Sequence, residues 1–213
     1  RYDASGLAGL EVLYPDGFPV ADIDFDWHIS QWSRSHTNDW LKHQFVGECL
    51  FRMSHYSAAR VYYVKAEELF DPRELGENQI EGQARITRSL SRILVEVGES
   101  DEAERRLAGS LSVLEGRPDT LEKAFTIHDL GYAIYKMGRK AQALYFYGRA
   151  RRMAQIIGDS KLEAICLHDS GLIHQDRGNG ERAMRVFSES ADLSLCAGDI
   201  RHATWSFFHM ATI

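Results

Sequence analysis

The sequence lacks the features that mark disulfide-rich, collagen-like, long disordered and membrane-spanning proteins. Among its 213 residues there are 3 Cys, 4 Pro and 17 Gly, and every hydrophobic run falls short of the ~18 residues that a membrane span needs. Three widely separated cysteines without a CxxC pair exclude a disulfide framework, a zinc ribbon and a dithiol redox site, and we expect them to be small buried hydrophobic residues. So little Pro and Gly excludes long disordered or collagen-like segments. A compact cytoplasmic protein with no membrane partner remains.

Neither sign of charge is in large excess. The formal net charge is −6, and residues 1–36, with 6 acidic and 2 basic residues, carry −4 of it. The rest of the chain is nearly balanced, which predicts no direct nucleic-acid partner, because phosphate affinity comes mainly from clustered Lys and Arg. The motifs HExxH, GxSxG, GxxxxGK[ST] and a GxGxxG after a strand are absent. We therefore expect a non-catalytic protein with no cofactor and no metal site.

Small residues recur in this sequence with a period of 40 residues. Glycines fall at positions 98, 138 and 178, and an alanine follows each of them five positions later. Further upstream, Gly47 and Ala59 repeat the 12-residue separation of Gly131 and Ala143. A fixed period of this length is the pattern of stacked structural repeats.

Each unit of the repeat has the pattern of two helices. Between residues 119 and 158, apolar residues at spacings of three and four form two runs that a glycine turn separates. Asp119, three residues before Glu122, is typical of a helix N-cap with a reciprocal carboxylate, and Gly116 and Gly158 suit the left-handed residue that closes a helix. Neither helix can bury its apolar stripe alone, so the pairs must stack. The sequence thus predicts an all-α, right-handed solenoid of antiparallel helix pairs.

Each unit has small residues at three fixed places and a large residue at a fourth. We number each unit so that its first small residue is at place 8. The other two small residues are then at places 20 and 27, and the large residue is at place 24. The small residues are Gly47, Ala59 and Ala66; Ser91, Ala103 and Ser110; Gly131, Ala143 and Ala150; and Gly171, Ala183 and Ser190, and the large ones are Tyr63, Leu107, Tyr147 and Phe187. This pattern resembles the tetratricopeptide repeat, in the long-helix subclass of G-protein-signalling adaptors, kinesin light chains and bacterial peptide-sensing regulators. The resemblance covers residues 37–213, as four repeats and the first helix of a fifth.

Residues 1–36 do not fit the repeat. A Pro-Asp-Gly turn is followed, over residues 20–27, by alternating apolar and acidic residues, which favours an extended segment. Two readings stay open: an irregular hydrophobic cap that packs Trp27 and Trp32 over the first repeat, or an acidic segment that lies in the groove of its own or a neighbouring molecule. The aromatic residues of the fifth unit would face water unless something covers them. Self-association through either end is a further expectation.

The resemblance implies that the first helix of each unit, helix A, lines a concave groove that binds a protein or peptide segment. It places seven residues of this chain in that groove: Arg85, Arg88, Arg92, His128, Tyr132, Lys136 and His168. The three arginines are spaced i, i+3 and i+7 on one helix face, so their guanidinium groups converge, and planar guanidinium groups suit carboxylates. We predict an acidic peptide segment or a C-terminal carboxylate as the ligand. The alternative is that the arginines pair with neighbouring acids such as Glu81, Glu96 or Glu99.

A His-Asp pair occurs at the same place in two successive units, His128-Asp129 and His168-Asp169. Adjacent residues on a helix point about 100° apart, and packed helices lie about 10 Å apart. We therefore expect neither aspartate to orient the ring of its own neighbour or to meet the other pair. The histidines are expected to line the groove or to form hydrogen bonds in the core, rather than to bind zinc or to catalyse hydrolysis.

These patterns lead to one functional interpretation and one alternative. The resemblance implies a non-catalytic scaffold or adaptor that binds a protein or peptide, which the arginines suggest is acidic, in the groove. The alternative is an effector-sensing regulatory module of a larger signalling ATPase or transcription regulator. A scaffold of this kind carries unrelated functions in different proteins, so its partner must be identified from the site itself.

Overall fold

Nine α-helices and no β-strand make up the part of the chain that the computed structural model describes, residues 39–70 and 77–213. The helices are α1 Asp39–Arg52, α2 Tyr56–Leu69, α3 Glu77–Glu96, α4 Ser100–Glu115, α5 Leu121–Lys136, α6 Lys140–Ile157, α7 Ser160–Asp176, α8 Gly180–Cys196 and α9 Ile200–Met210. Each of the first four pairs, from α1 with α2 to α7 with α8, packs together, and α9 packs on α8. The A helices, α1, α3, α5, α7 and α9, also contact one another in series. The predicted all-α solenoid of helix pairs is confirmed.

The predicted close approach of paired helices is confirmed at the small residues. A Cβ atom added to Gly131 would lie 2.9 Å from the ring of Tyr147, and one added to Gly171 would lie 2.6 Å from the ring of Phe187. These distances are shorter than carbon atoms tolerate, so glycine is required wherever a large aromatic ring of helix B covers helix A. Ala143, the small residue of helix B in the third unit, is fully buried.

Glycines also close the helices, though not at every predicted position. Gly158 adopts a φ of +82° and its backbone N–H donates to the carbonyl of Ala154, which is the left-handed helix end that the sequence predicts. The prediction for Gly116 is wrong, because its φ is −76°. Gly138, in the turn between α5 and α6, has a φ of +79°.

The predicted N-cap of α5 is also wrong by one residue. Thr120 caps the helix, and its side chain accepts from the backbone N–H of Lys123 at 3.3 Å. Asp119 instead accepts a hydrogen bond from the ammonium group of Lys123 at 2.9 Å. Glu122, the expected reciprocal carboxylate, turns to arginines of the preceding A helix. An ion pair with a neighbouring helix has thus replaced the local capping contact.

Other predictions meet mixed outcomes. Of the three cysteines, Cys166 is buried as expected, whereas Cys49 is half-buried and Cys196 is exposed in the last turn of α8.

Trp40 packs edge-on against Phe70 at 5.4 Å between ring centroids. The predictions for residues 1–36, including Trp27 and Trp32, lie outside the described residues. Within the described ranges, no helix combines the length and the apolar character needed to cross a membrane.

Candidate functional site

Equivalent residues of the five units form three rows along one shared face, which we call the groove. All of them lie on A helices except Thr212, which is two residues beyond the end of α9. The first row is Leu41, Arg85, Phe125, Ile165 and Trp205; the second is Gln44, Arg88, His128, His168 and Phe208; and the third is Glu48, Arg92, Tyr132, Leu172 and Thr212. Side chains of successive helices meet across these rows: the Arg88 guanidinium lies 4.6 Å from the centroid of the Phe125 ring. The seven predicted site residues lie in these rows or, for Lys136, one helical turn beyond.

Arg88 is the most buried of the three arginines, with 13% of its side chain exposed. Its Nε donates to Asp129 Oδ2 at 2.9 Å, and its Nη1 donates to Glu122. Burial by itself lowers the pKa of Arg88, but the charges of Asp129 and Glu122 outweigh that effect and raise it. Arg88 therefore joins α3 to α5 as a permanent cation.

Arg85 and Arg92 lie on the same face and are more exposed. Arg85 Nε pairs with Glu122 at 3.3 Å. Arg92 Nη1 lies 3.5 Å from Glu48 Oε2, and its guanidinium lies 4.3 Å from the centroid of the Phe51 ring. The convergence that the spacing predicts is thus present, together with acidic partners. Two of the acids named in the alternative hypothesis contact other residues, since Glu96 accepts a hydrogen bond from Tyr132 and Glu99 pairs with Arg60.

His128 lies between two carboxylates. Its Nδ1 is 2.9 Å from Asp129 Oδ1, and its Nε2 is 2.8 Å from Asp169 Oδ2 on α7. Burial lowers the pKa of His128, but the hydrogen bonds and charges of the two aspartates outweigh it and raise the pKa to about 9. The ring is therefore protonated at neutral pH and donates from both nitrogens.

The expectation that these His-Asp pairs cannot meet is wrong. The distance of about 10 Å separates helix axes. The side chains of His128 and Asp169 each extend several ångströms from their own axes into the space between, so they meet at hydrogen-bond distance. The other ring nitrogen then turns back to Asp129 on the same helix.

Asp129 has both carboxylate oxygens engaged, one by Arg88 and the other by His128. Burial raises its pKa, whereas the neighbouring Arg88 and His128 lower it by more, so the pKa lies well below its usual value. The carboxylate of Asp129 thus joins α3 to α5.

Five side chains thus form a line of alternating charge through α3, α5 and α7, which we call the charge network. Its members are Glu122, Arg88, Asp129, His128 and Asp169. Sequence reasoning missed it, although a signal was present. Arg88 and Asp129, and likewise His128 and Asp169, are 41 residues apart, one more than the period of the repeat.

The network ends at α7, because the fifth unit has His209 at the place where the third and fourth units have Asp129 and Asp169. His168, the counterpart of His128, places Nδ1 3.0 Å from the hydroxyl of Ser206 and packs its ring 5.3 Å from that of His209. Burial lowers the pKa of His168 to about 4, and Asp169 only partly opposes this. This ring is therefore neutral at neutral pH.

The remaining predicted residues are partly exposed and aromatic or basic. The Tyr132 hydroxyl donates to Glu96 at 3.2 Å, and the Lys136 ammonium lies 5.2 Å from the centroid of the Tyr132 ring. On the same helix, Tyr135 donates to Asp176 at 3.0 Å. In residues 39–70 and 77–213, no group of three or more His, Cys, Asp or Glu residues is arranged to hold a metal ion.

Comparison with known proteins defines the fold. No protein-family model and no curated protein matches the sequence. A Rap protein complexed with Competence and Sporulation Factor matches with a TM-score of 0.72 at 14% identity, over 85% of this chain and 50% of that chain. PlcR from Bacillus thuringiensis, in complex with the peptide PapR7 and DNA, has a TM-score of 0.72 at 11% identity, over 85% of this chain and 66% of that chain. A signal transduction ATPase with a tetratricopeptide repeat sensor, from Pyrococcus horikoshii, has a TM-score of 0.68 at 16% identity, over 99% of this chain and 32% of that chain.

These structural similarities show that the chain folds as a solenoid of the tetratricopeptide-repeat type. The pattern of small residues in the sequence implies the same fold. The chain spans about half the length of the Rap protein.

Proposed function

We propose that this chain is a non-catalytic binding domain that holds a peptide segment in the groove of its A helices. The observation that carries the proposal is the combination of basic and aromatic groups left partly exposed there, namely Arg85, Arg92, Tyr132 and Lys136. Among the proteins of similar fold, PlcR is in complex with a peptide.

An acidic ligand is supported by the hydrogen-bonding capacity of Arg92. A guanidinium group has five N–H donors. Arg92 directs one of them to Glu48, at a distance of 3.5 Å that is long for a charged pair, and 34% of its side chain is exposed. A ligand carboxylate beside Arg92 would form a shorter pair without displacing a buried contact.

The chemistry of the groove histidines supports a role without catalysis. His128 has both ring nitrogens engaged by carboxylates. His168 lies beside the hydroxyl of Ser206, as in a serine–histidine pair, but Ser206 is fully buried and donates to Ser190. A substrate has no access to that hydroxyl.

The test is selection of peptides from a random 12-residue library displayed on phage. We expect the library to yield peptides that bind the full chain and lose at least tenfold in affinity when Arg85 and Arg92 are both changed to Glu. Arg105→Glu is the matched control, because Arg105 belongs to the same repeat but lies on α4 with 76% of its side chain exposed. Failure to enrich any peptide, or equal losses in both variants, would contradict the proposal.

The sensor alternative is supported by the signal transduction ATPase, whose match covers 99% of this chain but 32% of the ATPase. A regulatory module would respond to its ligand by a change that an attached domain detects. A phosphate-binding loop or a helix-turn-helix encoded beside this domain in the same gene would favour the alternative.

We also propose that this part of the protein makes no direct contact with nucleic acid. Two of the three arginines of α6 are paired with carboxylates, Arg149 with Glu115 and Arg151 with Glu163. A gel-shift assay with duplex DNA is expected to show no complex. The three free cysteines support a reducing compartment such as the cytoplasm.

A further inference from the structure

We propose that the groove selects a peptide whose charges alternate in sign at every third residue, with an acidic residue at Arg52, a basic residue at Glu96 and an acidic residue at Lys136. This inference rests on the proposed peptide-binding function and adds the order and the spacing of the ligand's charges.

The last residue of each of the first four A helices is charged, and the sign alternates along the solenoid. These residues, which we call the rim, are Arg52 of α1, Glu96 of α3, Lys136 of α5 and Asp176 of α7. Each of them follows a residue of the third row by four positions, so it lies on the same face of its helix, one turn further on. All four are exposed. A ligand in the groove therefore meets positive and negative charge in turn.

Helix stability does not explain the two acids of the rim. The carboxyl end of a helix carries partial negative charge, which favours cations such as Arg52 and Lys136 and disfavours acids. Asp176 offsets this cost by an ion pair with Lys140 at 3.1 Å. Glu96 forms no ion pair with any cation of the described residues, so its charge stays uncompensated on the face where a ligand would lie.

The side chain of Tyr132 contacts both opposite charges at the centre of the rim. Its hydroxyl donates to Glu96 Oε1 at 3.2 Å, and the Lys136 ammonium lies 5.2 Å from the centroid of its ring. In the part of the chain that the structure describes, Lys136 also has no carboxylate partner. A ligand cation would pair with Glu96 Oε2 and a ligand carboxylate with Lys136, and neither contact breaks an ion pair of the protein.

At the first position of the rim, two cations share one carboxylate. Arg52 Nε lies 3.0 Å from Glu48 Oε1, and Arg92 Nη1 lies 3.5 Å from Glu48 Oε2, which also accepts a hydrogen bond from the hydroxyl of Tyr63 at 3.0 Å. The Arg52 side chain is 62% exposed. One carboxylate between two guanidinium groups leaves donors unused, so this position attracts an acidic residue of the ligand.

The spacing of the A helices sets the spacing of the ligand's charges. Packed helices lie about 10 Å apart. A peptide in the polyproline II conformation rises about 3.1 Å per residue with three residues per turn, so every third side chain returns to the same side after about 9.3 Å. Residues i, i+3 and i+6 of such a peptide therefore face Arg52, Glu96 and Lys136. The pattern acid-x-x-base-x-x-acid reads the same in both directions, so it does not depend on which way the peptide runs.

The same random 12-residue phage library tests this proposal with the full chain. We expect the selected peptides to share a Lys or Arg with an Asp or Glu three positions before it and another three positions after it. Glu96→Lys should weaken the binding of such a peptide about tenfold, because it replaces an attraction by a repulsion. Glu99→Lys is the matched control, since it changes the charge equally three residues away, but Glu99 lies in the turn before α4 and pairs with Arg60 of α2.

Exchange of the two central charges of the rim separates charge order from net charge. The double variant Glu96→Lys with Lys136→Glu has the same net charge as the wild type. We expect it to bind a selected peptide about tenfold more weakly. It should bind more tightly than the wild type does to at least one of the two peptides in which the central base has been exchanged with a flanking acid. Circular dichroism of each variant checks that the helices remain.

The outcomes separate the two proposals. Peptides that depend on Arg85 and Arg92 but share no base between two acids, and that bind Glu96→Lys as tightly as the wild type, would overturn this inference and leave the proposed function standing. Equal losses in Glu96→Lys and Glu99→Lys would do the same, because net charge rather than the rim would then determine affinity. A failure to enrich any peptide would overturn both proposals.

Discussion

The buried ring of His128 makes the stability of this solenoid depend on pH. A folded-state pKa of about 9 against an ordinary value of 6.5 corresponds to about 3 kcal/mol of stabilisation, at about 1.4 kcal/mol per pKa unit. Because the pKa is raised in the folded state, this stabilisation is complete below pH 6.5. It is lost as the pH rises from 6.5 to 9.

The assay compares the wild type with His128→Gln by urea unfolding at pH 6, 7.5 and 9. We expect the variant to be less stable at pH 6 and the difference in unfolding free energy to shrink by about 3 kcal/mol by pH 9. Imidazole resonances followed by NMR give the pKa of His128 directly.

His168→Gln is the control because the pKa of His168 is lowered to about 4. The pKa is below the ordinary value, so this ring costs stability only as the pH falls below 6.5, and the effect of its substitution should be constant from pH 7 to 9. A stability difference for His128→Gln that is equally constant between pH 6 and 9 would show that the ring is neutral in the fold, and would refute the assignment of the charge network.

Three further substitutions test the packing and the network by chemical unfolding and NMR. Gly171→Ala should destabilise the protein by about 1–3 kcal/mol, because the new methyl group would lie 2.6 Å from an aromatic ring of α8. Arg88→Met should cost about 3–5 kcal/mol, because it removes the most buried cation from two buried carboxylates, Glu122 and Asp129, and Asp129→Asn in the same chain should recover part of the loss. His209→Asp should raise the pKa of His168, because it places a carboxylate 41 residues after that histidine, the separation found for His128 and its aspartate on α7.

For each of these three predictions, a specific outcome would contradict the reasoning. Gly148→Ala is the packing control, since its nearest atom outside the helix backbone would be 3.8 Å away, on a flexible arginine side chain. Replacement of glycine by alanine inside a helix should then stabilise by up to ~1 kcal/mol. Equal effects at both glycines would contradict the packing argument. An Arg88→Met variant as stable as the wild type would show that the network contributes no stability, and an unchanged His168 pKa would show that geometry, not sequence position, prevents its extension.

The helix pairs and their period were predictable because they depend on patterns within one unit. An aromatic ring can cross a helix closely only where the side chain beneath it is missing, so the glycines at places such as Gly131 and Gly171 mark the crossing points in the sequence itself. The capping of α5 was less predictable, because Glu122 had two competing partners: its own helix start and the arginines of α3.

The arginine cluster was predictable as a cluster but not in its partners. Spacing along α3 places Arg85, Arg88 and Arg92 on one face, which depends only on helix geometry. Which acid each arginine meets depends on the axial offset and rotation of α1 and α5 against α3, and no residue of α3 specifies either. The same offset places Asp129 of α5 at Arg88 of α3.

The sequence by itself therefore determined the all-α solenoid of helix pairs and which residues share one face of each A helix, because these depend on period, residue size and helical spacing. Tertiary structure alone decided that Arg88 and His128 are buried in ion pairs while Arg92, Trp205 and Phe208 remain exposed. The reason is that burial and charge pairing depend on how neighbouring helices are shifted against each other, and side chains 41 residues apart meet only once the repeats have stacked.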